Sequence, residues 1–325
     1  MQTPADFLGG CLHFMKIHEL FDGFLRDCEA DGLHKYTRHH HKKVCEKVIG
    51  PALNGIDIES LIPIHANLII ERAATFSQSM PERSILTFRK LVRYAKNCRI
   101  PVGVIAEEIK IPKYRRQKDV RAWSGEEIAL IRNEILKDFS SEFSKHTPER
   151  QRLAHPITVA RLRALIEAML HSGIRLSEAL SSDISNVDWE KEELRVEDCK
   201  APGTWKTVYL HGALPAIREY LKVRTDNNTA LFVSVDGKRL CVATAQSALK
   251  RLKQRIKKKD KKFEFPFNHK TCRKTFVTIP LRAGHDPRQV QLMSHHKSLY
   301  SVLNYYYEVE KERMKPLHKE LFSCV

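Results

Sequence analysis

Much of what this 325-residue chain lacks bears directly on its chemistry. Its eight cysteines, at 11, 28, 45, 98, 199, 241, 272 and 324, form no C-x-x-C pair and follow no regular spacing, which argues against both a zinc ribbon and a disulfide framework. No signal peptide and no long apolar run is present, so the expected setting is the cytoplasm, nucleoid-associated or in a host cell, with reduced thiols and no membrane span. No repeat or low-complexity tract interrupts the chain. Acidic residues are in deficit: 39 Asp and Glu face 56 Lys and Arg, a net charge of +17. That balance points to a polyanionic partner, above all nucleic acid. With 42% apolar residues the length suggests two domains, each with its own core.

Both halves are basic, +6 over residues 1–118 and +11 over 119–325. The first reads as helical. An apolar stripe over 7–28 ends at Asp31-Gly32, a second helix spans about 37–48 before Gly50-Pro51, and a third spans 63–76. In the fourth, Ser84 is placed as the N-cap, and Ile85, Phe88, Leu91, Val92 and Ala95 form one face. Arg83, Arg89, Lys90 and Arg93 cover the other, with Arg38 and Lys42 on the second helix, a pattern suited to a phosphate backbone. Consecutive His39, His40 and His41 diverge by ~100° per residue on a helix, so they do not make a metal site. Residues 113–122, with Arg115 and Arg116, read as a basic linker.

The second half opens with a capping box, Ser124 and Glu127. A polar loop is expected over 140–156, then a strongly apolar helix over 158–171 that reads as the domain's centre. Next comes Gly173-Ile-Arg175-Leu-Ser-Glu178, followed by three short strands at 187–189, 194–196 and 207–210, with Lys200 and Lys206 near the last turn. Helices follow over 213–223 and 241–257, the second carrying Lys250, Arg251 and Lys257 as candidate phosphate contacts. In the last stretch Lys270 and Arg273, three apart, share a helix face; Gly284 is a C-cap and Asp286-Pro287 starts another helix. His296 precedes Tyr305 by nine residues, and a charged tail over 308–322 is expected to kink at Pro316. A basic pocket facing a phenol suggests an anionic substrate and a tyrosine nucleophile.

These motifs resemble the tyrosine recombinase (phage integrase) family, whose signature here is His or Lys, Arg three later, Gly-His, and Tyr nine later. The resemblance implies a mainly α fold with a small antiparallel β-sheet, arranged as a two-domain C-shaped DNA clamp. A helical core-binding domain (1–112) and the linker (113–122) would precede a catalytic domain (123–325) with a C-terminal helix. It implies site-specific recombination of double-stranded DNA through a 3′-phosphotyrosine, by a synaptic tetramer, with no cofactor and no metal. Arg175 and Arg273 would neutralise the phosphate, with Glu178 orienting Arg175, and His296 would donate a hydrogen bond. Lys200 would protonate the leaving 5′ oxygen, with Lys206 as second choice, and Tyr305 would attack. Lys270 stands where histidine is commoner and would take that catalytic role, with His269 beside it as the other candidate, and His295 replaces the usual glycine before His296. Tyr306 and Tyr307 compete with Tyr305 as nucleophile. Two other classes share parts of this pattern: a type IB topoisomerase-like enzyme and a non-catalytic DNA-binding protein.

Overall fold

The computed structural model describes residues 15–113, 121–139, 149–198, 203–260, 263 and 267–322. The chain divides into two compact units, 1–118 and 119–325. No helix among the described residues is long and apolar enough to cross a membrane.

The first unit is helical. A 3₁₀ turn leads into α1 (Phe21–Ala30), which Asp31 and Gly32 terminate, Gly32 with φ +69°. α2 (Lys35–Val44) does not stop at Gly50-Pro51 as the sequence suggests: it continues through a π-turn (Cys45–Ile49) into the single turn α3 (Gly50–Ala52). Pro51 falls in the first turn of α3, where its missing N–H costs nothing. α4 (Ala66–Ala74) and α5 (Met80–Asn97) complete the unit. Ser84 is not the N-cap of α5. The helix starts earlier, where Pro81 suits the first turn, and Ser84 is wholly buried inside it. Ile85, Phe88, Leu91, Val92 and Ala95 do form the buried face, packed with Phe24, Val44, Val48 and Ile69. The irregular segment after α5 returns to this core through Val104, Ala106 and Ile109, and Gly103 permits its approach: a Cβ there would lie 2.1 Å from the Glu59 carbonyl oxygen.

The second unit is organised around α7 (Glu149–Ser172), whose Ala164, Leu165, Ile166, Ala168 and Met169 are all buried. Burial on consecutive positions, Arg161 and Glu167 included, makes this helix central. It packs against α6 (Gly125–Phe139), α9 (Leu214–Val223) and α11 (His269–Arg282). The capping box forms, Glu127 N–H donating to Ser124 Oγ (3.1 Å) and Ser124 N–H to Glu127 Oε2 (2.9 Å). The expected loop over 140–156 gives way to helix from Glu149 onward. Pro156 removes one N–H, but Val159 and Ala160 just beyond it are buried in the core and hold the helix. α8 (Leu176–Ser181) follows, then an antiparallel sheet of β1 (Val187–Asp188), β2 (Glu193–Glu197) and β3 (Trp205–Tyr209) in the order β1-β2-β3. Register pairs Leu194 with Val208 and Val196 with Lys206. α10 (Val242–Lys259) follows α9 in sequence.

The last three helices fold back on one another. Gly284, φ +94°, follows the end of α11, and Asp286 caps α12 (Pro287–Ser294) by accepting from Arg288 N (2.7 Å) and Gln289 N (3.2 Å). α13 (Leu299–Phe322) continues as helix through Pro316. Val277, Leu281, Val290, Val302 and Val309 make a second small core between these helices, with Phe276, Tyr305 and Tyr306 packed on its edge.

Gly173 links this core to the end of α7. It has φ +62°, and a Cβ there would lie 2.3 Å from Phe276 Cδ1. Gly173→Ala should therefore destabilise the protein by about 2 kcal/mol or more, lowering the melting temperature by roughly 5 °C. Gly125→Ala, whose Cβ would meet nothing within 4 Å, is the matched control and should leave it nearly unchanged in differential scanning calorimetry.

Candidate active site

A carboxylate sits at the centre of the cluster. Glu178 is fully buried, and its Oε1 accepts from Arg175 Nη1 (2.6 Å) and Lys206 Nζ (2.9 Å), while Oε2 accepts from the Arg175 backbone N–H (3.0 Å). The three-residue spacing produces this: Arg175 is the N-cap of α8 and Glu178 its third residue, so the side chain reaches back to the helix start. Burial alone would raise the Glu178 pKa, but the Lys206 and Arg175 hydrogen bonds and charges outweigh it and hold the carboxyl below its ordinary value. Lys206 reaches Glu178 because strand alternation turns it inward with Val208, and its side chain is only 12% exposed.

Arg273, on α11, is held by backbone. Its Nη1 donates to the Gly173 carbonyl and its Nη2 to the Ser294 carbonyl (2.7 Å), tying the end of α7 to the end of α12. Burial and the nearby Arg175 push its pKa down to about 10, which leaves it charged at neutral pH. Each guanidinium keeps N–H donors that no group among the described residues uses, since Arg175 and Arg273 have five apiece.

The chain leaves α12 through His295 in the left-handed conformation, φ 50°. His295 Nε2 donates to the Thr207 carbonyl on β3 (2.8 Å), so the residue in the usual glycine position ties the sheet to the turn. His296 then turns inward: Nδ1 lies 2.6 Å from Ser294 Oγ, and its ring centroid is 6.5 Å from that of Tyr305 on α13. Burial and the charges of Arg273, Arg175 and Lys206 lower the His296 pKa to about 4. Burial raises the Tyr305 phenol, with Arg273 opposing. Tyr307 is 56% exposed.

The structure thus brings Arg175, Glu178, Arg273, His295, His296 and Tyr305 together, and adds Lys206. Lys200 lies outside the described residues. Lys270 does not join: it is exposed, and among the described residues its side chain makes no hydrogen bond or ion pair to the cluster. His269 lines a separate cleft of about 550 Å³ with Lys250, Lys253 and Phe267. Both residues lie in the first turn of α11, which Asn268 caps by accepting from Lys270 N–H. Ser294, which meets His296, and Asp198 and Lys297, paired at 3.5 Å, have no motif spacing that singles them out.

In the first unit, Arg83, Arg89, Lys90 and Arg93 line a cleft of about 410 Å³ between α2 and α5, with Thr37, His40 and His41. Arg38 and Lys42 border a neighbouring cleft of about 530 Å³ with His39. The three histidines diverge: His41 is buried against Thr87 Oγ1 (2.9 Å), with burial lowering its pKa to about 4. Arg38 pairs with Glu29, Lys42 with Glu46 at 3.7 Å, and Arg93 with Glu107 at 2.9 Å. Arg251 lines a cleft on α10 and Lys257 is exposed on the same helix, while Arg115 and Arg116 lie outside the described residues.

Glu178 gives a stability prediction. Glu178→Gln leaves two cations around a neutral amide in a dry site, at a cost of about 3–5 kcal/mol at pH 7. Because the folded pKa lies below the unfolded value, the carboxylate's contribution is complete above about pH 4.3 and is lost as pH falls through the folded pKa. Urea unfolding of the two proteins should therefore differ strongly at pH 7 and converge at acid pH.

Residues 148–313 match the model of the phage integrase family. Tyrosine recombinase XerC of Actinobacillus succinogenes is 33% identical over 151 residues, covering 44% of this chain and 48% of that protein. The chain thus spans about half the length of the curated relatives it matches. In fold it resembles the Tn1549 transposon integrase solved in complex with transposon right end DNA (TM-score 0.66, 14% identity, covering 94% of this chain and 100% of that one). It likewise resembles a lambda integrase tetramer bound to a Holliday junction (TM-score 0.67, 13% identity, 87% and 78% covered). With the family model covering half the chain and its motif residues meeting around Glu178, Arg273 and Tyr305, the chain belongs to the phage integrase family of tyrosine recombinases.

Proposed function

We propose that this chain is a site-specific DNA recombinase that cuts and rejoins double-stranded DNA through a 3′-phosphotyrosine at Tyr305. The observation that carries the reading is the convergence of two anchored, charged arginines and a neutral imidazole beside one half-buried phenol. A phosphodiester resists attack because its non-bridging oxygens are charged. Arg175 and Arg273 supply paired donors to those oxygens and to the pentacoordinate phosphorane, which gains a second negative charge. The Tyr305 oxygen bonds to phosphorus while the bond to the 5′ oxygen breaks, and that oxygen needs a proton to leave. Reversal rejoins the strand, since the phosphotyrosine keeps the bond energy.

Lys206 is a poor source of that proton. Losing it would leave a fully buried carboxylate short of one of its two cations. The acid is therefore assigned to Lys200, in the sequence between β2 and β3, and Lys206 is assigned to holding Glu178 and through it Arg175. Lys270, exposed at the start of α11, is proposed as a backbone-phosphate contact. The cationic clefts lined by Arg83, Arg89, Lys90 and Arg93, and by Arg38 and Lys42, with Arg115, Arg116, Lys250, Arg251 and Lys257, would follow the duplex on either side of its site. The working form is proposed to be a cytoplasmic, nucleoid-associated or host-cell enzyme assembled as a tetramer on paired sites.

A nicked suicide substrate should trap a covalent adduct with wild-type protein and with Tyr306→Phe, and none with Tyr305→Phe. An adduct that survives in Tyr305→Phe and disappears in Tyr306→Phe would move the nucleophile. Sulfur in place of the bridging 5′ oxygen gives a leaving group that needs no proton. It should restore cleavage to Lys200→Ala, which is otherwise slowed ~10²- to 10⁴-fold, and should not restore Lys206→Ala. Rescue of Lys206→Ala alone would return the acid role to Lys206.

A further inference from the structure

On α5, Leu86 is 45% exposed although its neighbours Ile85 and Phe88 are core residues. Between positions 83 and 93 the exposed residues of the helix are Arg83, Leu86, Lys90 and Arg93. Steps of three, four and three residues put all four on one face, a stripe ~15 Å long. With Thr37 and His41 of α2, and with Arg89, this stripe lines the cleft of about 410 Å³, and the His41–Thr87 contact (2.9 Å) ties its two walls together. Arg93 is paired with Glu107, but Arg83, Arg89 and Lys90 make no ion pair among the described residues, and Arg89 Nε is buried there without a hydrogen-bond partner. A single exposed leucine is ordinary on a protein surface. A leucine set in the middle of unpaired cations is a different case, because backbone phosphates would be served by the cations alone and would leave its methyl groups in water.

We propose that the stripe on α5 faces the major groove of the bound duplex and that Leu86 packs on the C5-methyl group of a thymine; this rests on the recombinase reading above and adds to it a residue that sets the sequence recognised. The dimensions agree. A major groove ~12 Å wide admits an α-helix, whereas a minor groove of ~6 Å does not. Arg83 and Lys90 lie on either side of Leu86 along the stripe, so the cations meet the phosphates that border the groove while the leucine faces its floor. On that floor the bases present hydrogen-bond donors and acceptors, and the one apolar group is the methyl of thymine. A leucine therefore matches thymine and leaves the polar edges of the other bases unpaired. The cations contribute binding that does not depend on sequence, and the methyl contact contributes the discrimination. A second copy of this chain is a poor occupant of the same surface, since with a net charge of +17 it would set cations against cations.

The test uses full-length Tyr305→Phe protein, so that bound DNA is not cut, and a pool of random-sequence duplexes from which bound molecules are recovered and sequenced. The parent should recover a common sequence containing a thymine whose replacement by deoxyuridine, which removes only the methyl group, weakens binding about fourfold. Adding Leu86→Ala should erase the preference at that position, keep it at the others, and make the thymine and deoxyuridine duplexes bind equally. The side chain is exposed, so the melting temperature should not move. Lys90→Ala should instead weaken all sequences alike and lower the salt slope by about one. Three results would each overturn the proposal: a Leu86→Ala selection identical to the parent's, deoxyuridine sensitivity that survives in Leu86→Ala, or a loss in Leu86→Ala shared equally by every sequence. Failure of the parent to recover any common sequence is a different result: it would sink the site-specific reading itself, and this proposal with it.

Discussion

One buried carboxylate holds the site together. Glu178 has no exposed surface, so its charge must be met inside the protein, and Arg175 and Lys206 meet it from a helix start and a strand. This fixes the sheet against α8 and aims the Arg175 guanidinium with donors to spare. The arrangement carries two cations for one anion, and Arg273 adds a third cation that no carboxylate among the described residues pairs. Such an excess of positive charge in a half-buried site is costly without a ligand. It makes the site a receptor for an anion.

Backbone carbonyls, not carboxylates, anchor Arg273. Gly173 and Ser294 accept from it without cancelling its charge, and both sit at helix ends where carbonyls lack intrahelical partners. The same turn supplies the left-handed His295, which clamps β3, and then His296, which faces Tyr305. Three helix ends and one strand therefore converge by satisfying groups the elements leave unpaired. Burial and the surrounding cations lower the His296 pKa, while burial raises that of the Tyr305 phenol.

Much of this was legible in the sequence because it rests on local rules. The Ser124–Glu127 capping box, the Asp286-Pro287 helix start, the apolar run that makes α7 central and the three-residue step from Arg175 to Glu178 all depend on fixed helical offsets. What was not legible depends on tertiary context. Pro51 and Pro156 look like breaks, yet one falls in a first turn and the other is held by buried neighbours. Ser84 has the chemistry of a cap and the location of a core residue. Spacing alone does not tell Lys206 from Lys200, because only the fold shows Lys206 pairing with Glu178. His296 is held by a serine, Ser294, that no motif marks.

The central claim is that Arg175, Arg273 and Tyr305 surround a single phosphate position. Crystals of the protein with site DNA nicked at the cleavage point and soaked in orthovanadate test it most directly, since vanadate adopts the trigonal-bipyramidal geometry of the phosphorane. The account predicts vanadium bonded to Tyr305 Oη and to the 5′ oxygen at its two apices, with its equatorial oxygens on Arg175 and Arg273. Vanadate bonded to Tyr306 or Tyr307, or held without contact to both arginines, would contradict it.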